Sequence, residues 1–108
     1  MKPLPKIYEG TRLPDGSCVV TVDGQPLKNR LEWHNHSPTG LEWGYGGSGP
    51  SQLALALLGD VTGDRVVSMR LYQEFKRHFV VGLPRDGWRA TETELKTLIE
   101  VLTHGKSN

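Results

Sequence analysis

Trp43-Gly44-Tyr45-Gly46-Gly47-Ser48-Gly49-Pro50, continued by Ser51-Gln52-Leu53-Ala54-Leu55-Ala56-Leu57-Leu58-Gly59, is the stretch on which the fold turns. Leu and Ala are strong helix formers, and Leu53 to Leu58 presents apolar side chains in every direction. The run therefore predicts a central helix over 50–58, buried on nearly all sides. Ser48 is the expected N-cap, Pro50 suits a first turn because a missing N–H costs nothing there, and Gly59 is the expected C-cap. Four glycines within 44–49 strip side-chain bulk from the loop that opens onto the helix. Backbone N–H groups there can face a ligand at the positive end of the helix dipole, which is the physical basis of an anion site.

Upstream, the chain reads as strands separated by turns: Lys6 to Gly10, Ser17 to Val22, and Gln25 to Leu31, with Asp15-Gly16 and Asp23-Gly24 between them. Asp-Gly between β-branched residues is a hairpin signal, because both turn residues tolerate positive φ. Pro26 cannot donate to a ladder and belongs at an edge, a strand start or a bulge. Downstream, a second helix is predicted from Gly63 or Asp64 to Phe79, with Val67, Leu71, Phe75 and Phe79 recurring every fourth position. Trp88 precedes a third helix, which Thr91-x-x-Glu94 opens as a capping box and Leu95, Leu98, Ile99 and Leu102 carry to Gly105. The predicted architecture is α+β: an N-terminal antiparallel β-meander of about three strands packed on three C-terminal helices. One domain spans 1–108, with strands over about 1–33, the Gly-rich loop over 34–49 and helices over 50–104. Gly105 to Asn108 reads as a frayed tail.

Thirteen Lys+Arg against twelve Asp+Glu leave no global field to hold a nucleic-acid backbone or an anionic membrane. Cys18 is the one cysteine, so no internal disulfide or thiolate zinc cluster forms, and a reducing, cytoplasmic setting is expected. No apolar run approaches the length of a membrane span, which is about 20 residues.

Gly44 to Gly49 satisfies the letters of the dinucleotide fingerprint G-x-G-x-x-G. Leu41-Glu42-Trp43 is nevertheless a poor buried strand, and the antiparallel beginning leaves no room for a parallel βαβ sheet. No Gly-Lys-Ser/Thr closes a phosphate-binding P-loop, and Gly49 follows Ser48 where a nucleophile elbow needs an intervening residue. The functional reading assigns ligand binding to Trp43, Tyr45, Gly46, Gly47, Ser48, Gly49 and Ser51. Their amides and hydroxyls meet a phosphate or carboxylate, and Trp43 and Tyr45 stack on a planar ring. Arg77, or a strip formed with Arg70, Lys76, Arg85 and Arg89, completes a phosphate pocket if it borders the loop. The competing reading gives the glycines a packing role and the aromatics a place in the core. His34 and His36 would share a face on a strand, but two ligands do not complete a metal site. Glu42, Asp64 and Glu74 qualify as general acids only if burial raises their pKa. No cofactor or metal is implied, and enzymatic activity ranks last for want of a nucleophile, base or metal constellation.

The segment His36 to Pro50, with Leu53-Ala54 after it and Phe75-Lys76 further on, resembles a family of short uncharacterised proteins of phages, plasmids and bacterial genomes. The resemblance rests on Trp-Gly-Tyr-Gly-Gly-Ser-Gly-Pro and implies a mobile-element setting without a known activity. The expected function is a small non-enzymatic module that binds an anionic small molecule or nucleotide at the Gly-rich helix start, in that setting by sequestering it. The alternative is a protein-interaction module or inhibitor of a host complex, anchored by the aromatic loop from Trp33 to Tyr45. Nucleic-acid binding is disfavoured by the charge balance, and an oligomer is compatible with the pattern.

Overall fold

The computed structural model describes residues 3–106; Met1, Lys2 and the end of the predicted tail, Ser107-Asn108, lie outside the described residues. Strands β1 (Ile7–Arg12), β2 (Cys18–Val22) and β3 (Gln25–Pro26) are followed by helices α1 (Ser48–Thr62) and α2 (Arg65–Phe75). A fourth strand, β4 (Gly87–Thr91), then leads directly into α3 (Glu92–Lys106). The strands form one four-stranded antiparallel sheet in the order β3-β2-β1-β4. The fold is thus α+β, an antiparallel sheet of N-terminal strands with three helices in the C-terminal part.

Period-2 alternation decides which face of the sheet is buried. Tyr8 and Gly10 of β1 pair with Val22 and Val20 on one side and with Ala90 and Trp88 on the other. Tyr8, Gly10, Val20, Trp88 and Ala90 are buried, whereas Glu9, Thr11, Val19 and Arg89 face solvent. Gly10 is glycine for a steric reason: a Cβ there would lie 2.2 Å from Trp88 Nε1 and 3.0 Å from Trp43 Cη2. Trp88 lies across the sheet at this point and meets Trp43 edge-on, at 5.8 Å between ring centroids.

Helix α1 is the buried element, with residues from Gly49 to Gly59 shielded. Each buried leucine there contributes about 2 kcal/mol of transfer free energy, so burial rather than amphipathicity holds this helix in place. It is longer than the pattern predicts. Gly63, at φ 65, forms the left-handed C-cap and donates its N–H to Gly59 O. Gly59 lies inside the helix instead, where a Cβ would come within 2.8 Å of Trp33 Cζ3 and 2.9 Å of Arg30 Nε. Its smallness serves close packing rather than termination.

Three further expectations are corrected. The third strand ends at Pro26 rather than Leu31, because after Leu27 the chain leaves the sheet and turns at Arg30, whose φ is 61. The second helix ends at Phe75 and widens into a π-type turn over Lys76–Val80, with Val81 N donating to Lys76 O. The sheet has four strands rather than about three, since Gly87–Thr91 adds a strand at the sheet edge beside β1.

Candidate functional site

Five residues before α1, Trp43 disappears into the core at 1 % exposure. Its indole N–H donates to Pro84 O at 2.9 Å and Arg85 O at 3.0 Å. A ring so placed cannot stack on a ligand, so the expected stacking role of Trp43 gives way to anchoring. Gly44 N donates to Val80 O, which ties the beginning of the Gly-rich loop to the end of the π-type turn. Beyond these ties the chain comes to the surface: Tyr45 is 47 % exposed, and Gly46 and Ser48 are exposed as well.

Ser48 is the first residue of α1 and not its cap. The cap position falls to Gly47, in extended backbone at φ 176, and no side chain caps the helix or places a carboxylate in its first turn. The first helical bond runs from Ser51 N to Gly47 O. The amides of Ser48 and Gly49 precede it, and Pro50 contributes none. The other two helices are capped: Asp64 accepts from Val67 N, and Thr91 Oγ1 accepts from Glu94 N while Glu94 Oε1 accepts from Thr91 N.

A cleft of about 300 Å3 opens at this uncapped helix start. Tyr45, Ser48 and Gly49 form one side, Ser17 of the β1–β2 connection and Cys18 at the start of β2 another, and the segment from Ser37 to Glu42 the third. The lining is rich in hydroxyls and includes one carboxylate. Arg12 grips that carboxylate with both terminal nitrogens, Nη2 to Glu42 Oε1 at 2.8 Å and Nη1 to Oε2 at 3.0 Å. The guanidinium beside it, helped by the Cys18 thiol and Trp43 N–H, holds the Glu42 carboxyl down at about 2. Glu42 is therefore a fixed anion, the opposite of what a general acid requires. Burial and the Glu42 carboxylate push the Cys18 thiol up to about 11, so it is not a thiolate nucleophile at neutral pH.

The structure brings Tyr45, Ser48 and Gly49 of the expected site together around the cleft, with Gly46 and Gly47 bridging them in sequence. Ser51 is buried on the helix, and Arg77 sits exposed on the π-type turn, outside the lining. Arg70, Lys76, Arg85 and Arg89 do not line it either, so the basic strip does not complete a pocket here. His34 and His36 lie in a loop, and among the described residues no group of three or more His, Cys, Asp and Glu is arranged to hold a metal. The residues that sequence reasoning missed, Ser17, Cys18, Ser37 and Thr39, carry no local signal, because only the β1–β2 turn and the packing of the 29–42 segment bring them to α1.

That segment is held by Gln52, which is fully buried in α1. Its Oε1 accepts from His36 N at 2.8 Å and Ser37 N at 3.3 Å, and its Nε2 donates to Asn29 O at 2.6 Å. One buried amide side chain on α1 thus fixes a whole wall of the cleft.

Residues 8–101, which include the sheet, the cleft and all three helices to near the end of α3, match a family of unknown function, DUF6166. The chain belongs to that family. No curated protein and no solved structure matches it. The family assignment agrees with an uncharacterised family and names no chemistry. Among the described residues no helix is long and apolar enough to cross a membrane.

Proposed function

We propose that this DUF6166 protein is a cytoplasmic, non-enzymatic binding module that holds a phosphate-bearing small molecule, of the nucleotide type, in the cleft at the start of α1. The observation that carries the reading is the coincidence of an open, hydroxyl-lined cleft with the helix start that lacks a side-chain cap. An anion there gains from the helix dipole and from amides that have no helical partner. The carboxylate in the wall does not repel it strongly, because Arg12 neutralises Glu42 through two short bonds. Tyr45 at the rim supplies the exposed ring surface on which a base stacks. The resemblance to proteins of phages and plasmids fits a sequestering role.

Ser48→Asp tests this with effects of opposite sign. A carboxylate in the first turn favours the helix dipole, so thermal stability holds or rises slightly, while a bound phosphate is repelled. Calorimetric titration with AMP, a cyclic nucleotide and inorganic phosphate is expected to show binding to the natural chain and at least tenfold weaker binding to Ser48→Asp. Lack of binding by any of the three to the natural chain refutes the reading. The interaction-module alternative retains one observation in its favour: Trp33 packs on Gly59 and Trp43 is buried, which leaves Tyr45 as the loop aromatic open to a partner protein.

A further inference from the structure

The segment from Asn29 to Glu42 contains no strand or helix, yet it forms a wall of the cleft through Ser37, Thr39, Gly40, Leu41 and Glu42. Midway along it, at His36, two attachments converge. The His36 backbone is fastened to Gln52 of α1, and its ring to α2 by a 2.7 Å hydrogen bond between Nε2 and Tyr72 Oη. The other neighbour of that ring is unusual. His34 stacks on it, with ring centroids 4.0 Å apart and planes 29° from parallel. Lys76, one turn beyond Tyr72 at the start of the π-type turn, directs a further positive charge toward it. His36 therefore faces His34 from its own segment, Tyr72 and Lys76 from the α2 side, and uncharged Gln52 from α1.

We propose that His34 and His36 form a proton-sensitive latch on the cleft wall: neutral, the stacked pair holds residues 29–42 against α1 and α2; protonated, it releases them. Two imidazolium rings in that stack would be like charges at about van der Waals separation, with Lys76 as a third cation nearby. Tyr72 can donate to a neutral His36 nitrogen; protonation of that nitrogen reverses the bond, with Nε2–H donating to Tyr72 Oη, so it is the charge repulsion within the stack that opens the latch. Burial, then His34, then Lys76 hold His36 below its ordinary value of 6.5. The released segment binds the proton more readily than the latched one. The latch is accordingly closed above about 6.5 and weakens as pH falls through that value toward the depressed one. Acidification would loosen the wall without disturbing the sheet. The consequence for a ligand rests on the binding reading above, whereas the opening itself does not.

Hydrogen exchange of the ligand-free protein tests the latch at about pH 7.5 and about pH 5.5, on either side of the ordinary imidazole value. After correction for intrinsic exchange rates, the amides of His36 and Ser37 are expected to exchange several-fold faster at the lower pH, with those of Val20 and Ala90 in the sheet unchanged. His36→Gln, which keeps a hydrogen-bonding partner for Tyr72 but does not titrate, should abolish the difference. His34→Ala, made at an exposed side chain, should move it to lower proton sensitivity and raise the midpoint of the His36 ring resonance in an NMR titration. Equal protection at both pH values in the natural chain overturns the proposal, as does a His36 midpoint that ignores the loss of His34. Titration with AMP at both pH values separates this from the binding reading: if AMP binds at neither, the cleft reading fails while the exchange result decides the latch on its own.

Discussion

Gln52 and Gly59 show how two side-chain choices on one helix place the loop that precedes it. Gln52 is polar, wholly buried and fully used, with its oxygen on two amides and its nitrogen on one carbonyl. Replacing it by leucine keeps the volume but strands those groups, and an unsatisfied buried polar group costs about 1–3 kcal/mol. Because the loop can partly swing out to water, the expected loss for Gln52→Leu is about 2 kcal/mol, read as a lower urea midpoint at unchanged slope. Gly59 poses a contest between two effects. Alanine in a helix interior gains about 1 kcal/mol over glycine, whereas forcing a methyl into a filled space costs about 1–3 kcal/mol. Here the new Cβ meets the Trp33 ring at 2.8 Å and Arg30 at 2.9 Å, and the Arg30 guanidinium is itself held 4.7 Å over the Trp33 ring. Crowding wins, so Gly59→Ala should lower stability by about 1 kcal/mol in the same assay. Neither role was legible in the sequence: Gln52 reads as one polar letter in an apolar run, and Gly59 reads as a stop signal because the true stop, Gly63, is only four residues on.

Among the elements, the sequence announces those whose signals are local. The two Asp-Gly turns, the apolar α1, the start of α2 beside Asp64 and the Thr91–Glu94 box of α3 all appear where short-range chemistry places them. Strand β4 escaped because it is five residues long and merges with the capping box. Thr91 is at once its last residue and the cap of α3. What makes Gly87–Thr91 a strand is the partner: β1 offers its free edge, and Gly10 leaves room for Trp88. Such pairing is non-local and has no sequence period of its own. The cleft was half legible for the same reason, since its helix start is local and its two other walls arrive from distant parts of the chain. Thr91 now carries a sharper expectation than an ordinary cap. Thr91→Ala removes the acceptor of the Glu94 amide and should cost about 1 kcal/mol, the usual worth of an N-cap. Valine at the same site keeps strand preference but not the hydroxyl, so Thr91→Val should match alanine if the cap dominates and exceed it in stability if the strand does. Thermal melts of the two variants decide.

For the whole molecule, one ion pair spans the sheet and the approach to α1: Arg12 is the last residue of β1, and Glu42 precedes the buried Trp43. With 10 % and 29 % of their side chains exposed, the partners are shielded enough to couple those two regions. The coupling sets a pH dependence whose sign follows from the Glu42 carboxyl, held down at about 2 against an ordinary 4.5. The unfolded chain takes up that proton first. Glu42 therefore contributes stability in full above about 4.5, and the contribution drains away as pH falls toward about 2. Asp15 and Glu92, lowered by hydrogen bonds from Ser17 and from Lys6 N, act in the same direction. The His36 latch also fails in acid, but in a different window, beginning near 6.5, and with a different reach. Its loss frees one loop, whereas protonation of Glu42 weakens the tie between β1 and the approach to α1 and lowers global stability. Urea unfolding monitored by tryptophan fluorescence should thus stay nearly level between about pH 7 and 5 while the amides of His36 and Ser37 already exchange faster, then fall steeply below about pH 4. In Glu42→Gln the steep limb should flatten and the exchange of the His36 and Ser37 amides should keep its acid dependence. A global midpoint that drops together with loop protection near 6.5 would show that the two events are one.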